Sequence, residues 1–174
     1  MTAPLILTLA FDDASQARFQ AARDRWFPPD RNVVPAHLTL FHHLPGDRAD
    51  AVQARLASVV TETAPLPVRV SGILSLGRGA AYALEVPGLE ALRARIGAGF
   101  DLTAQDRARG RPHVTVQNKV AKETARETVE ALRAGFVPWE GVAEGLALWR
   151  YVGGPWEAAG AFPFAGGAPG GASA

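Results

Sequence analysis

Along residues 5–11 the apolar side chains alternate, Leu5, Leu7 and Leu9 on one face and Thr8 and Ala10 on the other, which predicts a buried strand. From Asp13, with Gln16 three residues on as its capping partner, the spacing becomes helical: Phe19, Ala22 and Trp26 share a face until Pro28-Pro29 ends the element. Residues 36–41 read as a strand and Leu44-Pro45-Gly46 as a turn, after which Asp47 opens a helix striped by Val52, Leu56 and Val59. Pro65 and Pro67 break the chain. Two strands follow, 68–76 and 80–86, joined by the tight Gly77-Arg78-Gly79 turn. Leu89, Leu92, Ile96 and Phe100 mark a third helix, 103–110 a polar loop rich in Arg, Asp and Gln, and 112–117 a further strand. A fourth helix turns Ala125, Val129, Leu132 and Phe136 inward and Glu123, Arg126, Glu127 and Glu130 toward solvent. Residues 141–151 and 156–164 read as a closing pair of strands. Residues 165–174 contain only Ala, Gly, Pro and Ser; they bury too little apolar surface to offset their ordering entropy and are expected to form a disordered tail.

Within this pattern one tetrad occurs twice, as His37-Leu38-Thr39-Leu40 and His113-Val114-Thr115-Val116. The likeness runs further, because residues 36–44 laid on 112–120 match apolar positions at every second place, and each copy lies between helix-like stretches. A duplicated lobe follows. The order of elements predicts an α+β fold over residues 1–164, a single bilobal domain with two antiparallel sheets facing a central cleft and helices packed outside. In a strand each His and the Thr two residues later project to the same side, so each tetrad offers one acid/base group and one hydroxyl donor. Continuing the alternation puts Phe41 and His43 on the cleft side of the first copy, Gln117 and Lys119 on that of the second, and Arg111 on the His113 face. On those faces Phe41 offers an aromatic platform for stacking, Lys119 a positive point charge and Arg111 a bidentate donor for an anion.

Composition narrows the chemistry. With 48% hydrophobic and 20% charged residues the 174-residue chain suits a single core, and a net charge of +1 argues against a duplex DNA partner. The chain has no cysteine, which removes disulfides, thiolate nucleophiles and thiolate metal sites. The start, Met1-Thr2-Ala3-Pro4, leads straight into the first strand without a basic or cleavable segment, and no apolar run is long enough for a bilayer. A cytoplasmic location is expected.

The paired His-x-Thr-x motifs, the Arg111-Pro112 lead-in to the second and the ending Leu148-Trp149-Arg150-Tyr151 with Trp156 together resemble the 2H phosphoesterase superfamily, in particular bacterial proteins of the 2′-5′ RNA ligase type. The resemblance implies catalytic residues at His37, Thr39, His113 and Thr115. It also implies a 2′,3′-cyclic phosphate or related ribose-linked phosphodiester as substrate, at an RNA 3′ end or in a cyclic nucleotide, opened by water and with reverse ligation as the same chemistry run backward. Such cleavage needs a base, an acid and donors to the non-bridging oxygens. Two histidines and two threonines supply them without a metal or cofactor, in a chain expected to act as a monomer and away from membranes.

Two other readings compete. The chain has four histidines, and a zinc hydrolase would use them as ligands, but adjacent His42 and His43 point to opposite faces of a strand and no His-Glu-x-x-His pattern is present. A module that binds RNA ends or nucleotides without turnover would keep the same cleft, and only a rate measurement separates it from the enzyme.

Overall fold

A computed structural model describes residues 2–167. The chain runs β1 (Leu5–Phe11), α1 (Asp13–Trp26), β2 (Leu38–Leu44), α2 (Ala49–Thr61), β3 (Leu66–Ser75), β4 (Ala80–Glu85), α3 (Leu89–Gly97), α4 (Ala104–Arg107), β5 (His113–Gln117), α5 (Lys122–Ala134), β6 (Trp139–Arg150) and β7 (Glu157–Pro163). The strands pair antiparallel in the order β2-β1-β6-β3-β4-β5, with β7 also on β6.

The α+β architecture is as expected, but the two sheets are wings of one. Strand β6, 12 residues long, joins them: Trp139–Ala143 pairs with β3, Gly145–Arg150 pairs with β7, and β1 lies along the opposite edge from Ala143 to Arg150. Each wing ends in a motif strand, β2 in the first and β5 in the second. These two edges approach one another, so the sheet curls nearly closed around the cleft.

Phe19 on α1 fastens the wings together. Its fully buried ring packs against Phe11 at 5.0 Å, Trp139 at 5.1 Å and Tyr82 at 5.7 Å, which belong to β1, β6 and β4. Burial of such a ring contributes about 1.5–3 kcal/mol. On the outer face Val52 and Leu56 of α2 with Leu89, Leu92 and Ile96 of α3 cover Leu5, Leu7, Leu9 and Leu38, while Val129 of α5 joins Ile73, Ala80 and Val116 in a smaller cluster.

Several boundaries differ from expectation for local reasons. The cap of α1 is Asp12, not Asp13: its carboxylate accepts the Ser15 N–H at 2.9 Å, the Ser15 hydroxyl at 2.6 Å and the Val142 N–H at 2.8 Å, which ties the start of α1 to β6. Helix α3 stops at Gly97, and Phe100 packs on the core from the following loop. The polar loop 103–110 contains α4, opened by Thr103, whose hydroxyl accepts the Asp106 N–H at 3.3 Å. Ala165 and Gly166, assigned by composition to the disordered tail, instead donate to the carbonyls of Val60 and Thr63, each at 2.9 Å. A side chain at Gly166 would meet the Thr63 backbone at 2.6 Å, so glycine is what allows this approach. The rest of the expected tail, 168–174, lies outside the described residues. Among the described residues no helix is long and apolar enough to cross a membrane.

Candidate active site

Both motif strands bulge directly after their threonine. In the first wing Thr8 pairs with Thr39 but the next residue back, Leu7, pairs with Phe41, which leaves Leu40 as the extra residue. In the second wing Ala81 pairs with Thr115 and Ala80 with Gln117, leaving Val116 extra. A bulge reverses the side-chain alternation beyond it. Thr39 and Thr115 therefore face the cleft while Phe41 and Gln117 face away, which corrects the placement read from strict alternation. Phe41 is 1% exposed and sits in the core under the Arg93 guanidinium, 5.1 Å from its ring centre. Gln117 is buried, and its Nε2 donates to Thr128 Oγ1 at 2.8 Å.

The cleft holds a cavity of about 330 Å³ lined by His37, Thr39, His113 and Thr115 together, so the structure brings the two tetrads to one place. His37 lies one residue ahead of β2 and His113 opens β5. Each ring is tethered alike: His37 Nδ1 meets the Pro35 carbonyl at 2.7 Å, and His113 Nδ1 meets the Arg111 carbonyl at 2.8 Å. A carbonyl only accepts, so Nδ1 carries the proton in both rings, and Nε2 is the nitrogen left over. The Thr8 hydroxyl is engaged by Trp149 Nε1 at 2.9 Å. Among the described residues the hydroxyls of Thr39 and Thr115 have no such protein partner, and both line the cavity.

The two rings differ in their surroundings. His37 is partly buried, its ring 4.6 Å from that of Trp156, whereas His113 is exposed. Burial pushes the His37 pKa down to about 4; the Pro35 carbonyl opposes this, and the positive charges of Arg23, His42 and His113 add to it. His37 is therefore neutral at neutral pH.

The remaining expected contacts divide. Arg111 lines the cavity, as expected. Lys119 does not: it occupies the turn after β5 with a left-handed φ of 59°, and its carbonyl accepts Arg31 Nη1 at 3.0 Å. His43 is also outside the cavity, because the bulge at Leu40 that turns Phe41 away brings His42 to the cleft in its place; a second irregularity in β2 follows, between the Leu7–Phe41 and Leu5–Leu44 pairs. Its agent is Asp106, whose carboxylate accepts the backbone N–H of His42 at 2.7 Å and of His43 at 2.8 Å and meets His42 Nδ1 at 3.2 Å. Burial pushes the Asp106 carboxyl up, but these bonds outweigh it and hold the group below the usual carboxylate range. Arg93 completes the arrangement, donating to the carbonyls of Leu40 at 3.1 Å and Asp106 at 2.8 Å. Sequence reasoning passed over His42, Asp106, Arg93, Arg109 and Trp156 as site residues. The concentration of Arg, Asp and Gln in 103–110 was the signal for the loop, but no spacing in it marks Asp106.

One face of α1 grips both motifs. Gln16 Nε2 donates to the Ala36 carbonyl at 2.9 Å and the Ala36 N–H donates to Gln20 Oε1 at 2.8 Å, so the residue before His37 is held at both of its backbone groups. Arg23, 3% exposed, donates from Nη1 to the Thr115 carbonyl at 3.0 Å and from Nε to Asn32 Oδ1 at 2.9 Å. Positions 16, 20 and 23 recur at the spacing of one helical face. They occupy backbone groups of the motif segments that no neighbouring strand takes. Among the described residues no group of three or more His, Asp or Glu side chains is arranged to hold a metal ion.

Residues 11–155 match the family model of the 2′-5′ RNA ligase superfamily. No curated protein matches the chain by sequence. Among solved structures the chain is similar to TT0787 of Thermus thermophilus, at 19% identity and a TM-score of 0.64 over 95% of this chain and 100% of that one. It is also similar to E. coli LigT, at 15% identity and a TM-score of 0.60 in a complex with NADP+, over 95% of this chain and 99% of that one. A complex of LigT with 3′-AMP gives 14% identity and a TM-score of 0.60 over 94% and 99%. At these identities the likeness is one of fold.

Proposed function

Because this chain belongs to the 2′-5′ RNA ligase superfamily, we propose that it opens 2′,3′-cyclic phosphates, or related ribose-linked phosphodiesters, by paired-histidine acid/base catalysis without a metal. The observation that carries the reading is the mirrored tethering of the two rings: each Nδ1 is held by a carbonyl two residues back, and two threonines line the same cavity. Neutral His37 accepts the proton of the attacking water at Nε2. As the new P–O bond forms, the bond to one ribose oxygen breaks and His113 returns a proton to that oxygen, leaving a phosphomonoester. Thr39 and Thr115 donate to the non-bridging oxygens, where charge builds. Arg111 supplies positive charge at the cavity wall. With a ribose hydroxyl in place of water as the nucleophile, the same groups join two ribonucleotides: the new P–O bond forms as the bond to one oxygen of the cyclic phosphate breaks, and that oxygen takes the proton. LigT has been crystallised with 3′-AMP, a ligand of the chemical class that this reaction produces, which supports the choice of substrate. All of these groups come from one chain, so the reading requires no second copy.

Turnover of a nucleoside 2′,3′-cyclic phosphate, followed by product chromatography in the presence and absence of a chelator, tests the proposal. Conversion to a monoester unaffected by the chelator is the expected result. Binding without conversion would make the chain a nucleotide-binding module, and loss of activity on chelation would turn the histidines into ligands.

A further inference from the structure

The cavity contains a third imidazole that the reaction above does not use. His42 lines it with a side chain 51% exposed, while the Asp106 side chain behind it is 0% exposed. His37 and His113 rest on neutral carbonyls, but His42 rests on a carboxylate. The Asp106 contact at 3.2 Å takes up Nδ1 and leaves Nε2 as the ring's free polar atom. Asp106 is itself fixed at four points: two backbone N–H groups of β2, the Thr103 hydroxyl and the Arg93 guanidinium. The ring thus has a rigid, ionised support of the kind that stabilises an imidazolium when an anion meets it.

The charges around it point the same way. Arg109 and Arg111 line the cavity from the side of the His113 lead-in, and among the described residues neither forms an ion pair. The one carboxylate at the wall besides Asp106 is Glu90, which faces Arg93 at 3.6 Å. His42 is also near enough to His37 for its charge to bear on that ring. His42 lines the same cavity as His37 and His113, so one ligand in it can meet all three rings.

We propose that His42, seated on Asp106, is a second anion site that takes a phosphate of the substrate other than the one that reacts, which selects ribonucleotides carrying a further phosphate on the 5′ side over nucleosides carrying the cyclic phosphate alone. The proposal rests on the assignment of the reacting phosphate to His37 and His113.

Calorimetric titration with adenosine 3′,5′-bisphosphate and adenosine 3′-monophosphate tests it without requiring turnover. The protein should bind the bisphosphate about tenfold more tightly, the worth of one charge-assisted hydrogen bond. His42→Ala should bring the ratio of the two dissociation constants to about one. Its backbone N–H still reaches Asp106, so the β2 irregularity is kept, and a thermal melt checks this. His42→Gln, which keeps a donor at similar reach, should retain part of the preference. A wild-type ratio near one, or a His42→Ala variant that keeps the wild-type ratio or weakens both ligands equally, overturns the second site. Failure of the wild type to turn over any 2′,3′-cyclic phosphate, with the binding ratio as expected, would instead overturn the reaction and leave the anion site standing.

Discussion

The two wings carry the same tetrad, the same bulge after the threonine and the same tether from histidine Nδ1 to a carbonyl, yet one ring is covered and the other open. His37 lies against Trp156, and its preceding residue is held by Gln16 and Gln20; His113 faces solvent, and its strand is held through Arg23 at Thr115. Duplication explains the shared geometry. The difference comes from β7 and the segment before it, which exist on the first wing alone: Trp156 precedes β7 and packs both on His37 and, at 6.1 Å, on Trp149. The cover over His37 lowers its pKa and keeps that ring neutral, the state that a proton acceptor needs.

The comparison breaks most visibly at the histidines themselves. Replacing His37 or His113 with Ala should each lower turnover by about 10²–10⁴-fold, with the fold intact by circular dichroism. The roles separate with a nitrophenyl phosphodiester, whose leaving group needs no proton. On that substrate His113→Ala should recover most of the lost rate and His37→Ala should not. Equal recovery in both variants, or in neither, would remove the division between acceptor and donor.

The threonines test what the wings share. Thr39→Val and Thr115→Val keep the β-branched shape and should each reduce kcat by about 10²–10³-fold. Wild-type kcat in both would return them to ordinary strand residues. The grip of α1 is a smaller effect, acting through the backbone of the motifs. Arg23→Met should lower kcat by about tenfold with little change in KM, since it releases the Thr115 carbonyl without touching substrate. Arg23→Lys should restore part of that loss, and a uniform loss of stability with kcat unchanged would make Arg23 a packing residue only.

The tetrads and the fold class were legible because they rest on local spacing: His-x-Thr needs nothing but a strand, and buried stripes such as Val52, Leu56 and Val59 follow helical periodicity. Placement beyond the threonines was not. A bulge is a relation between two strands, and neither Leu40 nor Val116 differs in kind from its neighbours, so strict alternation sent Phe41 and Gln117 to the wrong face at equivalent points of both copies. Asp106 acts 64 residues from His42, and one acidic residue in a loop of mixed charge carries no sign of such a partner. The joining of two expected sheets into one lay in the length of β6, whose first residues pair with β3 while reading as a loop after α5.

The mildest change sharpens the comparison without touching a reacting group. Trp156→Ala uncovers His37, and burial is the largest cause of its depressed pKa, so the ring should titrate upward from about 4 toward the ordinary value near 6.5. The acid limb of kcat/KM should move up with it, since activity is lost as the acceptor becomes protonated. Stability gives an independent readout. Between about 6.5 and about 4 the unfolded chain binds a proton at His37 that the folded chain does not, so the wild type should lose stability as pH falls through that window. Raising the folded pKa narrows the window, and Trp156→Ala should flatten this slope even if the ring's loss lowers stability at every pH. NMR titration of His37 together with urea melts at pH 4 to 7 measures both. An unchanged titration in the variant would show that Trp156 does not set the difference between the wings, and would shift its origin to the charges of Arg23 and His42.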